Sequence, residues 1–131
     1  MSDSPVVLVA EDDTDILELV ALRIERAGLT VLRAHDGEEA LHLARRHSIS
    51  AAVLDVMMPK LDGIELTRQL RSEGRTAELP ILLLTARSQD EDVARGLAAG
   101  ADEYITKPFD PRDFRDRLLR LLSGQALDPA A

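Results

Sequence analysis

The stretch AAVLDVMMPKLDG, Ala51 to Gly63, decides how this chain folds. Its first four residues are apolar at consecutive positions, the pattern of a strand covered on both faces. The run stops at Asp55, and a strand buried on both sides seldom ends in a carboxylate without a partner. Met57, Met58 and Pro59 then make a turn. From Gly63 onward the period changes to that of a helix, with Ile64, Leu66, Thr67 and Leu70 inward. The segment is therefore one strand, one acid, one turn and one helix.

The same unit recurs on either side. Short aliphatic runs lie at Val6–Ala10, Thr30–Ala34, Ile81–Leu84 and Glu103–Thr106, and helical periods lie between them. Thr14–Ala27 places Ile16, Val20, Ile24 and Ala27 on one face, and Gly28 stops it. Gly37–Arg46 turns Ala40, Leu41 and Ala44 inward. A fourth helix is expected at Asp90–Ala99, ending at Gly100. A fifth, Asp110–Leu122, opens with a capping aspartate and a proline at the first helical position, and its inner stripe is Phe114, Leu118 and Leu121. Five strand–helix units in alternation imply a parallel sheet with helices on both faces. Arg33 within the second strand suits an edge, and residues 75–80 read as the longest loop.

The 131 residues suffice for one domain. Residues 1–122 are expected to form it, with 123–131 as a C-terminal linker or tail. The absence of cysteine excludes disulfides and thiolate metal sites. No apolar stretch is long enough for a membrane span, and the opening Met1-Ser2-Asp3-Ser4-Pro5 lacks the regions of a signal peptide, so a cytoplasmic location is expected. With a net charge of -8 the chain should repel phosphate backbones, so no direct nucleic-acid binding and no membrane partner are expected. Lys60 and Lys107 are the only lysines, which raises the question of why arginine does not stand there.

In open parallel sheets, ligands bind beyond the carboxyl ends of the strands. Those ends carry Glu11-Asp12-Asp13, Asp55, Thr85-Ala86 and Thr106-Lys107-Pro108. Gathered at one sheet edge, they would form an acidic cluster with one hydroxyl and one ammonium group. Clustered carboxylates repel unless a cation intervenes, and oxygen-only ligands select a hard cation such as Mg2+. Each part has a plainer explanation alone. Asp13 suits a helix N-cap, Thr85 a strand end and Lys107 a solvated surface. Their joint placement on four strand ends favours the functional reading.

In order and spacing, LVAEDD, LDVMMPKLDG, LLLTAR and GADEYITKPF closely resemble the receiver domain of two-component response regulators, over about Val6 to Leu122. The match is nearest to receivers attached to winged-helix DNA-binding domains. The resemblance implies a flavodoxin-like (βα)5 doubly wound sandwich with strand order 2-1-3-4-5. It implies that Asp55 accepts a phosphoryl group, and that Glu11, Asp12, Asp55 and the backbone carbonyl of Met57 organise Mg2+. Thr85 and the amide of Ala86 would hold phosphoryl oxygens, Lys107 would pair with the acceptor, and the Lys107–Pro108 bond would be cis. Thr85 and Tyr104 would be the switch pair.

The implied partner is a sensor histidine kinase or phosphotransfer protein. Leu19 and Leu22 on the first helix are candidate contacts for it. A phosphorylation-dependent homodimer is also implied, through a face that includes Asp102, Glu103, Arg117 and Arg120. Val93 departs from the basic residue usual in that subgroup, while Asp113 keeps the acid it would meet. Arg87 and Met57 would flank the phosphoryl group and slow its hydrolysis.

Three rival readings compete with this one. A phosphatase with an aspartyl nucleophile needs an acid two residues later, and Met57 cannot move protons. A flavin or nucleotide binder needs a glycine- and hydroxyl-rich phosphate loop where Glu11-Asp12-Asp13 stands. A phosphorylation-independent pseudo-receiver is the remaining alternative. In the favoured reading the chain is no enzyme in the ordinary sense, because it catalyses only its own phosphorylation and dephosphorylation.

Overall fold

The computed structural model describes residues 4–86 and 90–124. Five strands, β1 (Val6–Ala10), β2 (Thr30–Ala34), β3 (Ala51–Asp55), β4 (Ile81–Ala86) and β5 (Glu103–Lys107), alternate with five helices. The helices are α1 (Thr14–Arg26), α2 (Gly37–Arg46), α3 (Gly63–Arg71), α4 (Asp90–Ala99) and α5 (Pro111–Leu122). The sheet runs β2-β1-β3-β4-β5 with every pair parallel, which is the expected doubly wound order. The strand that carries Arg33 lies at an edge, where its guanidinium reaches Glu18 at 2.9 Å.

Alternation along the strands builds two cores. Leu8, Leu54 and Leu83 face α2 and α3. Val7, Val9, Val53, Leu82 and Leu84 face α1 and α5. A strand covered on both sides must be apolar at odd and even positions alike, which explains the unbroken run Ile81–Leu84. Four of the helices begin at an aspartate whose side chain accepts a backbone N–H: Asp13 from Ile16, Asp36 from Glu39, Asp62 from Glu65 and Asp110 from Arg112. Each such cap is worth about 1 kcal/mol. Gly28, at φ 89°, sits where a left-handed residue ends α1.

Two local expectations shift. The buried face of α1 is Leu17, Val20, Ala21 and Ile24, with Ile16 only half-buried and Ala27 forming the C-cap. A core-facing helix buries a stripe wider than one i, i+4 row, and here that stripe is centred one residue further along. Residues 75–80 are tighter than a plain loop. A 3-10 turn at Gly74–Thr76 buries Thr76, whose hydroxyl donates to the Leu70 carbonyl.

Candidate functional site

The strand order reverses between β1 and β3, so their carboxyl ends open the crevice where such sheets bind ligands. β1 delivers Glu11 there and β3 delivers Asp55, both buried. Asp12 is exposed at the rim, and carboxylate oxygens of Glu11, Asp12 and Asp55 lie within 4.8 Å of one another. β5 brings Lys107, whose ammonium donates to Asp55 Oδ1 at 3.2 Å and to Glu11 Oε1 at 3.3 Å. The Lys107–Pro108 peptide bond is cis.

Backbone amides hold the acids in place. Asp55 Oδ1 accepts the Met57 N–H at 3.4 Å, and Glu11 Oε2 accepts the Asp13 N–H at 3.1 Å. α3 is pressed against the end of β3. The Gly63 N–H donates to the Val56 carbonyl at 3.0 Å, and a Cβ at Gly63 would lie 2.3 Å from the Asp55 carbonyl oxygen. Glycine is therefore a steric requirement at the end of the opening stretch, a constraint that helical periodicity alone does not reveal.

The electrostatics are set by crowding. Burial, the hydrogen bond to Asp55 and the Asp55 charge push the Glu11 carboxyl up to about 8. Burial would lower the Lys107 ammonium, but Asp55 and Glu11 outweigh it and hold it above its ordinary value. Thr85, at the end of β4, is buried, and its hydroxyl has no hydrogen-bond partner among the described residues. A buried hydroxyl without a partner is a deficit that an oxyanion would fill. Ala86 follows Thr85 and pairs in register with Lys107. Arg87 lies outside the described residues.

The other named residues lie on two faces. Leu19 and Leu22 are 48% and 41% exposed on α1. Leu19 joins Ile16, Ala86, Pro108 and Phe109 around an apolar cleft of about 400 Å³ beside Lys107. Phe109 stacks on Phe114 at 5.2 Å, which fixes one wall of it. Tyr104 is 37% exposed on β5 and lines a separate cleft of about 600 Å³ with Leu97, Glu103 and Arg117.

Within the chain Arg117 bonds Glu103 at 2.8 Å and Asp113 at 3.0 Å. Glu103 is buried, and desolvation raises its carboxyl even though Arg117 and Arg120 oppose the shift. Asp102 accepts the Ile81 N–H at 2.8 Å and pairs with Arg71 at 3.0 Å. Arg120 is exposed one turn beyond Arg117. Sequence reading missed the Lys107–Glu11 contact and the Arg71 brace, because neither pair leaves a local spacing signal.

The sequence pattern of the response regulator receiver domain matches residues 7–119. The chain is 46% identical over 116 residues to the alkaline phosphatase synthesis transcriptional regulatory protein PhoP of Bacillus subtilis (strain 168), covering 88% of this chain and 48% of that protein. It therefore spans about half the length of the curated relatives it matches. The receiver domain of the Francisella response regulator 1452 superposes with a TM-score of 0.84 at 36% identity, covering 92% of this chain and 98% of that one. The receiver domain of the sensor histidine kinase PA1611 from Pseudomonas aeruginosa PAO1, which has a magnesium ion coordinated in its active-site cleft, superposes with a TM-score of 0.85 at 28% identity, covering 92% of this chain and 98% of that one. Matched over these residues and aligned along most of its length with such relatives, the chain belongs to the family of response regulator receiver domains.

Proposed function

We propose that this chain is a signalling switch in which Asp55 takes a phosphoryl group from a partner histidine kinase. The observation that carries the proposal is the buried Asp55 at the switch point, 3.2 Å from the Lys107 ammonium and paired in register with Leu84, next to which Thr85 is buried with a hydroxyl that has no partner among the described residues. An Asp55 carboxylate oxygen attacks the phosphorus of a phosphohistidine. The P–N bond breaks as the P–O bond forms, and the histidine nitrogen leaves with the electron pair. Phosphoryl transfer asks the protein mainly for position and charge neutralisation. Lys107 supplies a cation, and the Thr85 hydroxyl and the Ala86 amide supply donors to the phosphoryl oxygens. A compact ammonium fits a single contact in this crowded place better than a guanidinium fork.

The residues present fit a hard divalent cation. The cluster is all oxygen, it combines two buried carboxylates with one at the rim, and burial together with the neighbouring Asp55 pushes the Glu11 carboxyl up to about 8, a crowding that a cation would relieve. Glu11, Asp12, Asp55 and the Met57 carbonyl would hold Mg2+. When bound, the ion neutralises charge on the carboxylates and the transferring group. Met57 presents a 61% exposed apolar side chain beside the acceptor, with no acid to activate water. The chain therefore catalyses its own phosphorylation and dephosphorylation, slowly in the second direction.

The switch runs from Thr85 to Tyr104. Drawing the Thr85 hydroxyl to the phosphoryl group frees space, and the exposed Tyr104 ring turns in to fill it. That changes the face of α4, β5 and α5 and with it pairing between copies or with an output module. Kinase contact falls to Leu19 and Leu22 on α1, in a cytoplasmic setting. Leu22→Ala should leave the melting temperature unchanged and slow phosphotransfer. Unchanged transfer from the cognate kinase would remove Leu22 from that surface.

Acetyl phosphate with Mg2+ tests the acceptor directly. Intact mass should rise by one phosphoryl group in the native chain and not in Asp55→Asn. Equal labelling of the variant overturns the assignment. No labelling of the native chain favours the phosphorylation-independent alternative.

A further inference from the structure

A second charged cleft lies away from the acidic cluster. Arg23, Arg26 and Ala27, from the end of α1, and Pro111, Arg112 and Arg115, from the start of α5, line an open cleft of about 170 Å³. Four arginines thus line one small cleft on a chain of net charge -8. Among the described residues only Asp116 pairs with any of the four, at 3.7 Å from Arg115. The Nε of Arg23 is buried and has no hydrogen-bond partner among the described residues. A buried N–H left unpaired has lost its water without replacement.

The plain explanation covers half of this cluster. Arg23 and Arg26 stand in the last turn of α1, where the helix dipole favours cations. It fails for α5. Arg112 and Arg115 lie at the start of that helix, where the dipole is positive and cations are disfavoured. Among the local acids only Asp116 offers relief, 3.7 Å from Arg115. Asp110 caps the Arg112 backbone N–H at 2.8 Å, and Asp113 is held by Arg117 at 3.0 Å.

We infer that this cleft binds a compact oxyanion of the diphosphate class. Guanidinium forks match phosphate oxygens two at a time, and a helix start adds backbone positive charge. The small volume of the cleft suits a compact group better than a polypeptide segment. A long polyanion would extend over the acidic remainder of the surface and be repelled. None of the lining residues belongs to the Glu11–Asp55–Lys107 cluster, so the two sites can be filled at once.

Inorganic pyrophosphate and ADP, titrated separately into the full chain without magnesium at about 0.15 M salt, provide the test. The Nε–H resonances of Arg23 and Arg112 should move with saturation. Arg23→Gln and Arg112→Gln should each weaken binding by roughly tenfold, the loss of one charge-assisted contact, while Arg46→Gln on α2 should not. Tighter binding of ADP than of pyrophosphate assigns the diphosphate to a nucleotide, and equal binding assigns it to the free anion. Shifts confined to Lys107 and its neighbours overturn the inference. So does equal weakening by Arg46→Gln, which would mark diffuse attraction. Arg112 is exposed, so its variant keeps the test valid if Arg23→Gln fails to fold.

Discussion

Glu11 and Asp55 share one ammonium, and one positive charge does not balance two buried acids. Burial first, and then the neighbouring Asp55, raise the Glu11 carboxyl to about 8 from an ordinary 4.5. A group whose folded pKa lies above its unfolded value adds stability below the unfolded pKa and loses it as pH rises through the folded one. Without divalent cations the chain should therefore lose stability between about pH 5 and pH 9, and its melting temperature should fall by several degrees. Glu11→Gln, which cannot ionise, should flatten that slope. Lys107 is also raised, but it starts from 10.5, so its contribution is lost only above this window. A native chain whose melting temperature stays constant across the range would contradict the upward shift of Glu11.

At the scale of elements, α3 decides how tightly the acceptor is held. Its first residue lies against the Asp55 carbonyl, with room for a hydrogen and none for a methyl group. Two effects compete in Gly63→Ala. Alanine is the better helix former by about 1 kcal/mol. The clash is with backbone, which cannot rotate away, and overpacking of this kind costs about 1–3 kcal/mol or more. The clash should win, giving a net loss of stability in urea melts and weaker acetyl phosphate labelling as Asp55 shifts. Gly28→Ala, at a position with nothing within 4 Å of the added carbon, should lower stability through its positive φ alone and leave labelling unchanged. Equal labelling in both variants would show that the α3 contact does not position the acceptor. α1 behaves differently. Its inner face was displaced by one position from expectation because periodicity marks a stripe and not its centre.

For the whole molecule, the site is a destabilised feature of a well-buried sheet. Three acids converge because five strands converge, and the fold accepts the repulsion at one edge. A cation that binds only the folded chain should stabilise it by about 2.7 kcal/mol at a hundred times its dissociation constant. Millimolar Mg2+ should thus raise the melting temperature of the native chain, with the rise larger at pH 9 than at pH 6. Asp12→Asn should lose most of the effect. A melting curve that magnesium leaves in place would remove the cation from the proposed mechanism. Among the described residues no helix is long and apolar enough to cross a membrane.

Much of this was determined by the sequence alone, because its signals are local. Consecutive apolar residues identify strands buried on both faces, aspartates mark helix starts, and the acids, threonine and lysine fall directly at the strand ends. The five-unit alternation then leaves few topologies open. The tertiary structure decided which charges meet. Lys107 reaches an acid 52 residues away and another 96 residues away, and Arg117 is engaged by Glu103 and Asp113 within its own chain. It also decided that Thr85 is buried with its hydroxyl unpaired among the described residues, and that four arginines from α1 and α5 share a cleft. Secondary structure depends on period and capping over a few residues, whereas a charge pair depends on a gap of a few ångströms between distant segments, and only the packed sheet sets that gap.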